Sequence, residues 1–435
     1  MRKIETEVLV IGAGLAGTSA GLSVSGTGKK ALVLARDGGA SAMSSGALDI
    51  ADDILAVRGK PEHWSKAIEK NLEQILIRFP NHPYHLLGDD AKAVIEEIKN
   101  AFALVFPAED KFIIGDGKNN RYVFNQLGAF KSTAFTQNRM LGIDDLALGK
   151  NCLLVNFQAF RDFALEFFKN NFLYWTEKLG AKIKLEICEI PSNGIKSKSS
   201  LEMAKWINEN FDQTLSQILK EIKNRNAEII IFPPILPQEK RQELLNRVEG
   251  DGKNKAYELL SIPPSAPGKR LQRYLEQKLR RAGVEKILGK VVGFKKENKK
   301  LISVQAKTHS EGIEVFAEKF ILASGGFLAG GIKKQGEFKE DIFGLKIFYG
   351  SKPVGKIFAE KLTSIRIVEP HPVFSLGVKT DQSLRALDED GKIGLENLLI
   401  AGSIVGGGNY IFNGDGAGVA LTTGLYAGKI LAKSI

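Results

Sequence analysis

Apolar positions in this chain fall into two periods, and their alternation lays out the fold. Residues 7–11 and 30–34 each carry a short unbroken apolar run, Val8–Ile11 and Ala31–Leu34, the pattern of parallel strands covered on both faces, and a helix starts at Leu15 between them. The period then becomes helical over 66–79 and 91–102, on either side of His82-Pro-Tyr-His-Leu-Leu-Gly88. Residues 110–150 are loop-rich, with Gly115, Gly117, Gly128 and Gly142 marking turns. Over 201–225, Met203, Trp206, Ile207, Phe211, Leu215, Ile218, Leu219 and Ile222 recur at helical spacing, which predicts one long amphipathic helix with a core-facing stripe. A strand over 228–232 stops at Pro233-Pro234. Past Pro263-Pro264 come a helix ending at Arg281-Ala-Gly283, strands over 284–294, 301–307 and 319–323, a turn-rich stretch, and a terminal helix from Val419.

The first strand leads into glycines at fixed offsets, Glu7-Val-Leu-Val-Ile-Gly-Ala-Gly-Leu-Ala-Gly17. Gly12 permits a tight turn, Gly14 lets backbone approach a pyrophosphate, and Gly17 allows close helix–strand packing. The helix start then offers free N–H groups and a partial positive charge to phosphates. The matching fingerprint expects an acidic residue at the end of the second strand to hold a ribose hydroxyl; here stand Ala35 and Arg36, with Asp37 one step late. Ser44-Ser-Gly-Ala-Leu-Asp49 supplies small polar residues for a cofactor groove. The expected fold is α/β, a Rossmann-like domain built from residues 1–60, 265–345 and 393–435. A large inserted α+β domain covers 61–264, and a second excursion near the active site covers 346–392.

Composition removes several function classes. The 435 residues carry 61 basic and 50 acidic side chains, a net charge of +11, but the two signs are interleaved rather than gathered in an arm or tail. The densest patch, 269–281, sets Leu271, Tyr274, Leu275 and Leu279 on one helical face and its cations elsewhere, a solvated amphipathic helix or a docking face; nucleic acid is not expected. Two distant cysteines, Cys152 and Cys188, support neither a disulfide framework nor a zinc or iron–sulfur site. No apolar run approaches a membrane span and no signal segment precedes the glycine turn, so a cytoplasmic protein is expected.

Three separated segments resemble flavoproteins of the glutathione-reductase and succinate-dehydrogenase kind: the opening glycines, Ile321-Leu-Ala-Ser-Gly-Gly326, and Asn397-Leu-Leu-Ile-Ala-Gly402 followed by a glycine-rich helix start. In that fold the last helix points its N-terminus at the flavin pyrimidine edge, where its dipole stabilises the reduced ring. The cofactor contacts expected from these segments are Gly12, Gly14, Leu15, Ala16, Gly17, Ala35, Arg36, Ser44, Ser45, Gly46, Ala47, Val292, Ser324, Gly325, Gly326, Gly402, Ser403, Gly416, Ala417, Gly418 and Val419. Further marks narrow the resemblance: Ser44–Asp49, His82–Gly88, Ile262-Pro-Pro-Ser-Ala-Pro-Gly268 with Arg270-Leu271, Gly377-Val-Lys-Thr-Asp381 with Leu384-Arg385, and Glu396-Asn-Leu to Ser403. Together they are similar to the B-type subunit of anaerobic glycerol-3-phosphate dehydrogenase, along nearly the whole chain and most weakly over 110–260.

That resemblance implies a complex with a second flavoprotein subunit and an iron–sulfur, membrane-attached subunit. It implies oxidation of a small phosphorylated substrate, glycerol 3-phosphate, to dihydroxyacetone phosphate, electron flow to quinone, and a place at the inner face of the cell membrane through the partners. Members of the family are described as using FMN, whereas the Gly12–Gly17 turn suggests non-covalent FAD; the absent acid at Ala35 and Arg36 leaves both open.

Alcohol oxidation needs a base for the hydroxyl proton, and a phosphorylated substrate needs Arg or Lys. Of five histidines, His309 and His63 sit in polar or surface contexts, and His82 and His85 belong to a motif that packing explains as well. His371, in Glu369-Pro-His-Pro372, is the candidate base, and Arg385 the candidate phosphate ligand or a partner for Asp381 and Asp388. The alternatives are a flavin subunit that relays electrons or supports assembly while its partner dehydrogenates, and a related FAD-dependent reductase of another acceptor. The missing cysteine pair counts against disulfide chemistry.

Overall fold

The structure, a computed structural model, describes residues 1–52, 66–88, 90–148, 151–191, 196, 198–250, 252–355, 359–366 and 369–433. The domain boundary placed at 60/61 and His63 lie outside them. In chain order the principal elements are β1 (Arg2–Ile11), α1 (Leu15–Ser25), β2 (Ala31–Ala35), α2 (Ile68–Arg78), α3 (Ala91–Val105), β3 (Asn151–Phe157), α4 (Leu165–Lys178) and β4 (Lys184–Ile190). They continue with α5 (Ser200–Glu209), α6 (Phe211–Ile222), β5 (Ile229–Phe232), α7 (Arg241–Glu249), β6 (Lys255–Glu258), α8 (Ala266–Arg281) and β7 (Glu285–Leu288). The last are β8 (Lys290–Glu297), β9 (Lys300–Lys307), β10 (Gly312–Leu322), β11 (Leu398–Ile400) and α9 (Gly416–Ala432).

The main sheet orders its strands β7-β2-β1-β10-β9-β8, with β11 on the far half of β10. Strands β7, β2, β1, β10 and β11 run parallel, and β8, β9 and β10 form an antiparallel meander. The eleven residues of β10 serve both: Gly312–Phe316 pair with β9 and Phe320–Leu322 with β11. The run 284–294, read as one strand, is therefore two. β7 and β8 lie at opposite ends of the strand order and are joined only through Gly289, so the sheet curls until its edges meet there. The Gly289 amide donates to the Ala35 carbonyl at 2.9 Å and fixes that seam beside the end of β2.

Helices α1 and α9 follow parallel strands β1 and β11, so both N-termini open at the same sheet edge. They pack backbone to backbone. Ser19 Oγ donates to the Leu421 carbonyl at 2.7 Å and Ser23 Oγ to Leu425 at 3.1 Å. A Cβ added to Gly424 would lie 2.3 Å from the Ala16 carbonyl, so this approach requires glycine.

The insert holds a four-stranded parallel sheet, β6-β5-β3-β4, with small antiparallel pieces nearby, among them a hairpin of Arg121–Phe124 and Phe130–Thr133. Its separate apolar core runs from Tyr122 to Leu259. Residues 68–106, including Ile68, Leu72, Val94, Ile98 and Phe102, instead join the core around the main sheet. The unit with its own core is thus smaller than the 61–264 read from the sequence. The helix expected over 201–225 breaks at Asn210 into α5 and α6. Asn210 leaves helical geometry (φ −114°, ψ 36°) while its side-chain amide donates to the Trp206 carbonyl at 2.9 Å, the local competition by which asparagine interrupts helices.

A buried ionic cluster joins insert to main domain. Glu258, fully buried on β6, accepts from Arg241 Nε at 2.6 Å and from Arg270 of α8 at 2.5 Å. Gln137 Oε1 and the Leu236 carbonyl, each 3.0 Å away, take further Arg270 donors. Burial draws the Arg270 pKa down to about 10, opposed by Glu258 and assisted by Arg241. Arg270 is thus a buried cross-domain ligand, although the sequence places it among solvated cations.

Candidate functional site

A cavity of about 450 Å³ runs along the C-terminal edge of the parallel strands. Its walls are the β1–α1 turn, the end of β2, the 39–49 loop, the Gly289 seam, the Ala323–Gly331 loop, and Gly402, Ser403, Gly416 and Ala417. Gly12 (φ +118°) has no alternative, because a Cβ there would meet the Ala323 carbonyl oxygen at 2.2 Å. A Cβ on Gly14 would meet only Ser41 Oγ, at 3.1 Å, so Gly14 fronts open groove.

The first turn of α1 has no side-chain cap and no acidic residue. Its Leu15 amide donates to Ser41 Oγ at 3.1 Å. The positive end of α1 therefore faces the groove without a protein anion against it, which suits a pyrophosphate. At β2, Arg36 Nε donates to Asp37 Oδ2 at 2.7 Å, and Asp37 also accepts from the Gly39 amide. The other end is bounded mainly by apolar or hydroxyl-bearing residues, Leu48, Val373, Phe374, Leu376, Tyr410 and Ala420. A helix N-terminus facing the middle and a mainly apolar end fit the pyrophosphate and the ring of FAD.

Of the residues expected from the sequence, Gly12, Gly14, Leu15, Ala16, Ala35, Arg36, Ser44, Ser45, Ala47, Ser324, Gly325, Gly326, Gly402, Ser403, Gly416 and Ala417 line this groove. Five do not. Gly17 packs beneath the turn, where a Cβ would stand 1.9 Å from the Gly12 carbonyl oxygen. Gly46 faces Met140 and Pro267, Gly418 faces Tyr84, and Val419 is fully buried. Val292 is 64% exposed; the strand's alternation turns Val291 into the groove and Val292 out.

Neither candidate catalytic residue lines the groove. His371 is outside the lining to which Val373 and Phe374 belong, and its Nδ1 accepts the Ser364 amide at 3.0 Å. Arg385 is spent on Asp381, through Nε at 2.8 Å and Nη2 at 2.7 Å. Asp49 lines it, at the end of the Ser44–Asp49 segment read as groove-lining; the charged lining groups that the sequence reading missed are Lys131, Lys290, Asp341 and the late Asp37. Lys131 reaches the groove from the hairpin and pairs with Asp49 at 2.8 Å. Burial disfavours its ammonium, but Asp49 outweighs burial and raises its pKa, so it is a fixed cation rather than a base.

The start of α9 rests on a fully buried pair. The Tyr84 amide donates to His82 Nδ1 at 3.2 Å, which leaves the ring proton on Nε2 for Asp415, 2.9 Å away. His82→Leu removes the donor to a buried carboxylate. It is expected to cost about 1.5–3 kcal/mol, read as a lowered denaturation midpoint; an unchanged midpoint would contradict this anchoring role.

Glu340, buried beside groove residues Asp341 and Ile342, is pushed up to about 7 by burial, despite amide hydrogen bonds from Phe343 and Ile342. Its folded pKa thus exceeds the unfolded one. Stability from this group is present below about 4.5 and is lost as pH rises through about 7. The stability difference between Glu340→Gln and wild type should shift in favour of the variant between pH 5.5 and 8.5, by about 2 kcal/mol. A pH-independent difference would refute that assignment.

Both cysteines are buried and free, and burial pushes the Cys152 thiol up to about 12. Among the described residues no helix is long and apolar enough to cross a membrane.

The sequence matches the FAD binding domain family over residues 7–177 and 232–419, and the chain belongs to that family. It is a flavoprotein oxidoreductase whose cofactor is FAD. It is also similar to the B-type subunit of anaerobic glycerol-3-phosphate dehydrogenase from Actinobacillus pleuropneumoniae serotype 5b, at 25% identity over 96% of this chain and 97% of the relative. The same-named protein of Mannheimia succiniciproducens is 26% identical over 98% of each. Among solved structures, 3-ketosteroid delta1-dehydrogenase from Sterolibacterium denitrificans aligns over 99% of this chain and 100% of its own, at 12% identity and a TM-score of 0.43.

Proposed function

We propose that this chain is a flavin subunit of a glycerol-3-phosphate dehydrogenase complex that forms dihydroxyacetone phosphate and delivers electrons to quinone through an iron–sulfur partner. The observation that carries this reading is the end-to-end similarity to proteins bearing that subunit name, 25–26% over at least 96% of this chain. FAD, when bound, supplies the two-electron acceptor. Its pyrophosphate would face the N-terminus of α1 at Gly14, beside the Ser41 hydroxyl; Arg36 and Val291 would flank its nucleotide end. Ser45, Ala47, Gly416 and Ala417 would border its ring, with the α9 dipole aimed at it. Asp49 and Lys131 would meet the substrate there. An iron–sulfur cluster usually takes four cysteines, and these residues include two, buried apart, which favours a relay in a partner subunit. Membrane association would then be peripheral, through partners.

The isolated chain should oxidise glycerol 3-phosphate weakly or not at all with quinone-like acceptors, and co-expression with its partner subunits should restore turnover. Full turnover by the single chain, at the rate of the complex, would replace this reading with a self-sufficient dehydrogenase. A complex that retains full activity when this chain's flavin is lost would make it an assembly subunit.

A further inference from the structure

The charged residues of the groove divide between its ends. Arg36, Asp37, Lys290 and Asp341 cluster where β2 meets the Gly289 seam, while Asp49 and Lys131 stand alone among the described lining charges at the α9 end. This second pair is held firmly. The Asp49 carbonyl accepts the Gly418 amide at 2.9 Å, and Thr133 Oγ1 donates to the Leu48 carbonyl at 3.2 Å, tying the lysine-bearing hairpin to the aspartate-bearing loop. An ammonium has three donors, and Asp49 Oδ2 engages one of them at 2.8 Å. The Lys131 side chain remains 38% exposed, and the buried Asp49 Oδ1 has no hydrogen-bond partner among the described residues. The pair thus presents the spare donors of Lys131 beside the Asp49 carboxylate, whose side chain is 22% exposed, in a wall otherwise made of Leu48, Val373, Phe374, Leu376 and Tyr410.

We propose that Lys131 and Asp49 form the polar end of the substrate site and select a small molecule carrying a hydroxyl next to an oxyanion. Lys131 binds the oxyanion and the Asp49 carboxylate accepts the hydroxyl hydrogen bond. A neutral polyol would leave the spare Lys131 donors without an anion, and a bare anion would leave the Asp49 carboxylate without a ligand donor; only the combination engages both. Because the hairpin belongs to the insert and Asp49 to the flavin-type domain, the ligand would also bridge the two units. This specificity rests on the dehydrogenase reading above only for its particular ligand, glycerol 3-phosphate.

Equilibrium titrations of the FAD-loaded protein test it, using calorimetry and the perturbation of flavin absorbance with glycerol 3-phosphate, glycerate, inorganic phosphate and glycerol. Wild type is expected to bind the first two more tightly than the last two. Lys131→Gln should weaken both hydroxy-oxyanions by roughly tenfold or more, the scale of one charge-assisted hydrogen bond, leave glycerol unchanged and keep its FAD, while Lys131→Arg should retain most of the affinity. Asp49→Asn, which leaves the lysine in place, should erase the preference for glycerol 3-phosphate over inorganic phosphate. Unchanged oxyanion affinity in Lys131→Gln, or a wild type that prefers neither hydroxy-oxyanion over glycerol, overturns the proposal. Lysine-dependent binding of glycerate but not glycerol 3-phosphate would uphold this site and remove the assigned substrate. Glycerol 3-phosphate turnover by a complex carrying Lys131→Gln with an unchanged KM would do the reverse.

Discussion

Gly14→Val should yield a folded protein that has lost its FAD. The helix start at Gly14 has ordinary backbone geometry (φ −78°, ψ −167°), so a side chain imposes no left-handed strain. Its Cβ would touch only Ser41 Oγ, and the branches of valine then extend into the groove where a pyrophosphate approaches the α1 amides. FAD occupancy after purification should fall roughly tenfold or more, since even ~1.4 kcal/mol of lost binding is a factor of ten, while circular dichroism and the unfolding midpoint of the apoprotein stay near wild type. Gly12→Val separates the two effects. There the positive φ and the Ala323 carbonyl at 2.2 Å oppose any side chain, so fold and cofactor should be lost together. Normal FAD content in Gly14→Val would place the pyrophosphate elsewhere.

Glu258→Ala should produce the largest loss of stability among the substitutions considered. The carboxylate is fully buried and is the anion for two guanidiniums that are themselves at most 9% exposed. Deleting it leaves those charges facing each other without compensation, which costs about 3–5 kcal/mol in buried pairs. Because Arg270 lies on α8 and Arg241 and Glu258 belong to the insert, unfolding should also become less concerted between the units. The measurement is chemical denaturation followed separately by flavin fluorescence and by tryptophan, with Trp175 and Trp206 both packed against the insert core. A shift under about 1 kcal/mol would mean that water or rearrangement replaces the carboxylate, against the burial seen here.

The segments legible in the sequence are those in which backbone chemistry dictates the residue. Gly12 and Gly17 are required by carbonyl oxygens at 2.2 and 1.9 Å, and the buried runs Val8–Ile11 and Ala31–Ala35 on either side of the β1–α1 unit are continuously apolar with no other comfortable environment. Residues 324–326 and 402–403 were legible for the same reason, since each turn follows a parallel strand at the same sheet edge. What stayed hidden depends on tertiary placement. Lys131 is one lysine among many in sequence, and only the pairing of its hairpin brings it to Asp49.

Val291 and Val292 are chemically alike, so nothing local told which one the strand's alternation turns inward. Histidine and arginine types drew attention to His371 and Arg385, yet both are satisfied by neighbours within seven residues, Ser364 and Asp381, and the loop carries apolar Val373 and Phe374 into the groove instead. The cluster at Arg270 shows the same limit from another side, because its acid sits on a strand of the insert and its helical neighbours gave no sign of burial.

The most direct test of an FAD-binding oxidoreductase built on this groove is the identity and amount of flavin released when the purified protein is precipitated with acid. The account predicts a yellow protein whose supernatant contains FAD at close to one mole per mole of chain, with none left covalently on the pellet. A colourless protein that takes up no FAD on reconstitution, or one that releases FMN alone, would contradict it.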